Sequence, residues 1–207
     1  MIKEKSQTWH QISQKMGCFF ANYSPFPAGF YTLSSLLLAI IAIVLSYHTY
    51  FISAIGLFIL AGLFDVIDGS VARARNKASN LGAFVDGTID RFVDFSIIFS
   101  FFFFHIQAPI LTIAQLICIT SFVVIMPTFI VAYANHRGAV EDDNETLIWR
   151  IMNRGEMLVM MLAILIMSLY NPLWAGYLLV ALIMLSALTI LQTIIETIYH
   201  GNKWNRA

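Results

Sequence analysis

The sequence predicts an all-α integral membrane protein, with six transmembrane helices preceded by an amphipathic helix lying in the membrane interface. Three observations carry that prediction. Of 207 residues, 59% are hydrophobic and only 12% are charged, where soluble globular chains run about 25% charged. The mean hydropathy is +0.77. The apolar residues gather in runs of spanning length, and Lys and Arg fall on alternate turns between them. The reading is one membrane domain over 1–207: an interfacial helix over 1–25, a six-helix core over 26–200 and a cytoplasmic tail over 201–207. The formal net charge is zero, so a nucleic-acid partner has no electrostatic support.

The first segment alternates polar and apolar residues at helical spacing. Trp9, Ile12, Met16, Phe19 and Phe20 form one stripe, with Lys5, Gln7, Gln14 and Lys15 elsewhere, as in a helix at a membrane surface. It lacks a signal-peptide core. Pro25, Pro27 and Gly29 then break the helix and turn the chain inward. Span one covers about 30–46 and ends in an uncharged turn at 47–50. Span two starts near Phe51, stays apolar to Phe64 and continues as a polar helix to about Ala74. Span three starts near Leu81 with Gly82, Asp86 and Asp90, then runs apolar through Phe104. After the uncharged turn at 105–109, span four covers about 110–134, and Pro127 predicts a kink. A polar stretch at 135–145 follows. Span five runs from near Leu147 to Tyr170, with Arg150, Arg154 and Glu156 in its first turns. Asn171 and Pro172 make a tight turn, and span six covers about 173–198. Cys18 and Cys118 lack metal-type spacing and read as small packing residues.

The charges orient these spans. Lys3, Lys5 and Lys15 precede span one; Arg73, Arg75 and Lys77 lie between spans two and three. Arg137, Arg150 and Arg154 lie between spans four and five, and Lys203 and Arg206 end the chain. The turns after spans one, three and five carry no Lys or Arg. The positive-inside rule places both termini, and the charged ends of spans two and three, in the cytoplasm. The protein is therefore expected in the cytoplasmic membrane.

The candidate chemistry sits in Asp65, Asp68, Asp86 and Asp90. Carboxylates at membrane depth are costly and mark functional sites by default. At about 100° per residue, Asp65, Asp68, Gly69 and Ala72 share one helix face, with Arg73 at its edge. Gly82, Asp86 and Asp90 share one face of the next helix. The short polar linker predicts antiparallel neighbours, which converges the carboxylates. Such a cluster repels itself unless a cation or protons bind. Hard divalent cations take carboxylate oxygens, and Mg²⁺ commonly works beside substrate phosphates. Gly69 and Gly82 leave room for close approach to the backbone. Arg73 suits a phosphate, or anchors its helix through a nearby Asp. The residues thus point to metal-dependent chemistry on a phosphate or diphosphate at the membrane surface.

The pattern D-x2-D-G-x2-A-R-x8-G-x3-D-x3-D, here Asp65, Asp68, Gly69, Ala72, Arg73, Gly82, Asp86 and Asp90, resembles the signature of the CDP-alcohol phosphotransferase family. The resemblance implies a six-helix membrane fold, a homodimer, and transfer of a substituted phosphate from a CDP-linked lipid donor to a small alcohol, releasing CMP. Asp65, Asp68 and Asp86, with Asp90 as a fourth candidate ligand, are expected to hold Mg²⁺ or Mn²⁺, and the resemblance makes Asp90 the base. The spacing alone does not distinguish that base from a fourth ligand. The resemblance also places Asp65, Asp68, Gly69, Ala72, Arg73 and Gly82 around the cytidine nucleotide.

The acceptor is expected to be a water-soluble polyol phosphate such as inositol phosphate. A second cationic pocket would then be needed, and Arg137, Arg150 and Arg154 lie on the correct side. Residues 132–137 resemble the S-Y-x-x-A-R segment of the inositol-phosphate branch, and Arg154 to Glu156 its E-R-x-E-R motif, although Met157 replaces the final Arg. The same arginines could instead set topology or hold anionic lipid headgroups. Alternative acceptors are glycerol phosphate, serine or another free alcohol. A prenyltransferase would show two aspartate motifs, and a cation transporter polar groups on both halves of the membrane.

Overall fold

The computed structural model describes residues 26–75, 79–139 and 151–204, without the side chains of residues 28, 72, 73 and 200–204. The expected interfacial helix over 1–25 lies outside the described residues, as do Arg150 and residues 205–207. The described residues form six helices and no strand: α1 (Ala28–Tyr47), α2 (Phe51–Ala74), α3 (Asn80–Ser100), α4 (Ile113–His136), α5 (Arg154–Tyr170) and α6 (Pro172–Trp204). Four of them, α1, α2, α4 and α6, are long and apolar enough to cross a membrane. Of the other two, α3 carries Asp86, Asp90, Arg91 and Asp94, and α5 has 17 residues. Large apolar side chains such as Leu33, Leu37, Ile52, Phe122 and Leu191 are exposed, as suits an integral membrane protein whose outer solvent is lipid.

The chain forms two compact units, one ending at Ser100 and one beginning at Phe101. In the first, α1 packs along α2 and also against α3, while α2 and α3 touch only sparingly. The linker-based expectation of simple neighbours is thus modified, because α1 supplies most of the packing surface to both. Ala39 and Ala42 on α1, and Ala54 and Ala61 on α2, are fully buried. Small residues of this kind let helices approach closely. Nearer the aspartates, Tyr31, Ile67 and Val71 form a buried apolar cluster, with Phe64 packed against it.

The end of α1 is closed by a six-residue wrap. The Tyr50 N–H donates to the Leu45 carbonyl at 2.9 Å and the Thr49 N–H to the Ser46 carbonyl at 3.1 Å. This is a Schellman motif, which puts its pivot residue in the left-handed region. The pivot is Thr49, at φ 64°, a conformation that is strained for a β-branched residue. The same closure ends α4 with Gly138, also at φ 64°. Thr49→Gly is therefore expected to stabilise the protein by about 1 kcal/mol, read as a higher melting temperature in detergent.

Local capping explains where the helices depart from their expected bounds. The Ser79 hydroxyl accepts the Gly82 N–H at 3.0 Å, so α3 starts at Asn80. It stops at Ser100 rather than Phe104, with the Ser100 hydroxyl donating to the Ile97 carbonyl at 2.7 Å. In the second unit, α6 packs against both α4 and α5. Thr112 and Gln115 form a capping box, with the Thr112 N–H donating to Gln115 Oε1 at 3.0 Å; this delays α4 to Ile113. Pro127 lies buried inside α4, which continues to His136. The Asn153 N–H donates to the Glu156 carboxylate at 2.9 Å and so starts α5. Asn171 Oδ1 accepts from the N–H groups of Leu173 and Trp174 at 3.1 and 3.2 Å. Pro172 takes the first helical position, where its missing N–H costs nothing. α6 then runs past 198 to Trp204.

One loop is seated on α6. The Gln107 N–H donates to the Pro172 carbonyl at 3.0 Å. The Gln107 carbonyl lies so close to Gly176 that a Cβ there would overlap it. Cys118 corrects an expectation: it is exposed rather than packed inside.

Candidate active site

The site is built where the C-terminal half of α2 meets the start of α3. Asp65 and Asp68 stand on α2 at a three-residue interval, and Asp86 and Asp90 on α3 at a four-residue interval. One carboxylate oxygen from each of Asp65, Asp68 and Asp86 lies within 4.8 Å of the others. Asp68 is buried, while Asp65 and Asp86 are half-buried and open to a ligand. Two like charges at 4 Å repel by about 4 kcal/mol at an effective dielectric near 20. Three ionised carboxylates this close need a cation among them. The set is oxygen-only and compact, so its donor chemistry fits a hard divalent ion.

Asp68 is held from two sides. Its Oδ2 accepts the Thr32 hydroxyl of α1 at 2.7 Å, with both residues buried. Its Oδ1 accepts the backbone N–H of Gly69. These bonds take one acceptor position on each oxygen and leave others for a ligand.

Asp90 lies one turn beyond Asp86 and is half-buried. The Arg91 guanidinium sits 3.8 Å from Asp90 Oδ2 and 3.5 Å from Oδ2 of the buried Asp94. Arg91 and Asp94 stand three residues apart on one helix, a spacing that favours such a pair. The structure therefore brings together three of the four motif carboxylates, with Asp90 adjacent along the helix.

The remaining site candidates are placed as follows. Gly69 lies on the same turn of α2 as Asp68, and the backbone of Ala72 and Arg73 continues that helix. Their two side chains lie outside the described residues. A Cβ on Gly82 would stand 3.1 Å from the Ser79 hydroxyl oxygen, so the glycine also accommodates the cap of α3. Arg137 follows α4, exposed, with its guanidinium 5.9 Å from the Tyr133 ring centroid. Arg154 is the first residue of α5. Both belong to the second unit.

Three contacts were not legible in the motif spacing: Thr32 on Asp68, Arg91 beside Asp90, and Ser79 under Gly82. A fourth is Arg75, whose Nη1 donates to the Phe26 carbonyl at 2.6 Å and ties the end of α2 to the chain entering α1. The signal available for Thr32 was its place, with Ser34 and Ser35, in an otherwise apolar span.

The arrangement has relatives. The chain is 32% identical over 161 residues to archaetidylinositol phosphate synthase of Pyrococcus horikoshii, covering 76% of this chain and 77% of that one. It is 30% identical over 188 residues to archaetidylinositol phosphate synthase of Aeropyrum pernix, covering 89% of each. Its fold is similar to the crystal structure of Mycobacterium tuberculosis phosphatidylinositol phosphate synthase with CDP-DAG bound, with a TM-score of 0.67 over 92% of this chain and 94% of that one, at 19% identity. The model of the CDP-alcohol phosphatidyltransferase family matches residues 27–195. That match takes in the carboxylate trio, Asp90 and Thr32 together, and the chain belongs to the CDP-alcohol phosphatidyltransferase family.

Proposed function

We propose that this transferase moves the lipid-bearing phosphate of a CDP-linked lipid onto a hydroxyl of inositol phosphate, releasing CMP, at the cytoplasmic face of the membrane. The observation that carries the reading is the meeting of Asp65, Asp68 and Asp86 on the motif of this family. The acceptor assignment is supported by the two relatives named archaetidylinositol phosphate synthase.

Asp65, Asp68 and Asp86 would hold a divalent cation, Mg²⁺ or Mn²⁺. When bound, it supplies charge neutralisation at the donor diphosphate. Asp90 takes the proton of the acceptor hydroxyl. The acceptor oxygen bonds to the lipid-bearing phosphorus as the bridging P–O bond breaks, and that electron pair leaves with CMP. Asp65, Asp68, Gly69, Ala72, Arg73 and Gly82 would bind the cytidine nucleotide. Arg137, Arg150 and Arg154 hold the acceptor phosphate. Arg154→Ala is expected to raise the apparent KM for inositol phosphate about tenfold, the loss of roughly 1.4 kcal/mol, and to leave the KM for the donor unchanged. Equal changes in both would remove Arg154 as an acceptor contact.

All six helices cross the membrane in this reading, with residues 1–25 as an interfacial helix, both termini cytoplasmic, and two protomers in a dimer. The 21 residues of α3 give a helix of about 31 Å, close to the hydrocarbon thickness of about 30 Å.

The test is CMP release from purified protein in mixed micelles, with CDP-archaeol and CDP-diacylglycerol as separate donors. Inositol phosphate, glycerol phosphate, inositol and serine are supplied in turn, with Mg²⁺ or chelator. Metal-dependent release with inositol phosphate is expected. Faster release with another acceptor would reassign the acceptor, and no donor binding would overturn the reading.

A further inference from the structure

We propose that Thr32 is a positioning residue for the metal site: its hydroxyl fixes the Asp68 carboxylate in the orientation that binds the cation. The inference rests on the reading of Asp65, Asp68 and Asp86 as cation ligands. Thr32 lies on α1, outside the motif and 36 residues before Asp68 in sequence, yet donates to Asp68 Oδ2 at 2.7 Å in a buried setting.

The contrast with other hydroxyls in the protein is informative. Buried Ser and Thr side chains in apolar helices usually return their hydrogen bond to a carbonyl one turn back. Ser46, Ser70, Ser96, Thr120, Thr189 and Thr193 all do so here, each to the carbonyl four residues earlier. Thr32 instead reaches across to a carboxylate on α2. The α1–α2 interface that allows this is close-packed, with buried Tyr31 beside Thr32 and buried Ile67 beside Asp68. The Thr32 backbone is tied as well, its carbonyl accepting the Ser35 hydroxyl at 2.7 Å.

The consequence for Asp68 is orientational. A carboxylate on a helix can rotate about its last bond at little cost. Thr32 on Oδ2 and the Gly69 N–H on Oδ1 oppose that rotation from two sides. With the plane held, one Asp68 oxygen stays within 4.8 Å of one oxygen from each of Asp65 and Asp86. Groups that hydrogen-bond to metal ligands in this way typically change metal affinity about 10–100-fold when removed.

The experiment measures Mn²⁺ binding to purified full-length protein in micelles by electron paramagnetic resonance, with no substrate present. Wild type is compared with Thr32→Val, which keeps the shape and loses the donor, and with Thr32→Ser, which keeps the donor. Mn²⁺ affinity is expected to fall at least tenfold in Thr32→Val and to stay within about threefold of wild type in Thr32→Ser. Wild-type affinity in Thr32→Val overturns the proposal, and so does an equal loss in both variants. If Thr32→Val does not fold, Thr32→Ala takes its place under the same criteria. Failure of both to fold overturns the proposal, since the hydroxyl is then a structural tie. Absence of Mn²⁺ binding by wild type would instead count against the metal-site reading itself.

Discussion

Asp90→Asn is expected to lower CMP release by about 10²–10⁴-fold, the range in which a general base contributes. The substitution is nearly isosteric and keeps one oxygen for Arg91, whose guanidinium lies 3.8 Å from Asp90 Oδ2. It removes the capacity to take a proton. The Arg91–Asp94 pair at 3.5 Å persists and continues to hold the helix surface in place. Since Asp90 lies outside the carboxylate trio, Mn²⁺ binding and donor binding should remain close to wild type. The deciding comparison is single-turnover CMP release alongside both binding measurements. Near-normal turnover removes Asp90 as the base. Loss of Mn²⁺ binding together with turnover would make it a ligand.

Asp68→Asn should have an equally large effect for a different reason. Asp68 is the buried member of the trio and loses its charge in this variant, so the cation loses a central ligand. Mn²⁺ affinity and metal-stimulated turnover are both expected to fall by about 100-fold or more, as for removal of an anionic ligand to a hard cation. Stability in chelator should move the other way. Neutralising one of three mutually repelling carboxylates relieves a native-state strain. The Asn oxygen can still accept the Thr32 hydroxyl. The melting temperature in chelator is therefore expected to rise while the metal-induced increase disappears. A variant that melts lower in chelator and still gains stability with metal would refute this account of the site.

The trio was legible in the sequence because helical periodicity alone puts Asp65 with Asp68, and Asp86 with Gly82, on single faces. The apolar runs likewise defined α1 and α2 nearly to their ends. Where the reading slipped, short polar caps were competing with hydrophobic pattern. Ser79 starts α3 at Asn80, and the Thr112–Gln115 box starts α4 three residues later than its apolar run suggests. The run Phe101 to Phe104 looked like more helix, but aromatic content does not extend a helix once its hydrogen bonds stop at Ser100. Thr32 was missed for a deeper reason. Its partner is 36 residues away, and a pairing between helices leaves no trace in local periodicity. The central role of α1, packed against both α2 and α3, was hidden for the same reason.

The seat of Gln107 on Gly176 also has a history in time. Gln107 precedes α4, whereas the Pro172 carbonyl that receives its N–H opens α6. A ribosome adding about 5–20 residues per second needs on the order of several seconds to travel between them. During that interval the loop after α3 has been made and its docking surface has not. The contact closes only once the start of α6 has been synthesised, so it acts as a late latch on assembly. Chains truncated before α6 would carry the loop without its seat, and should be recognised as unfinished by proteases of the membrane.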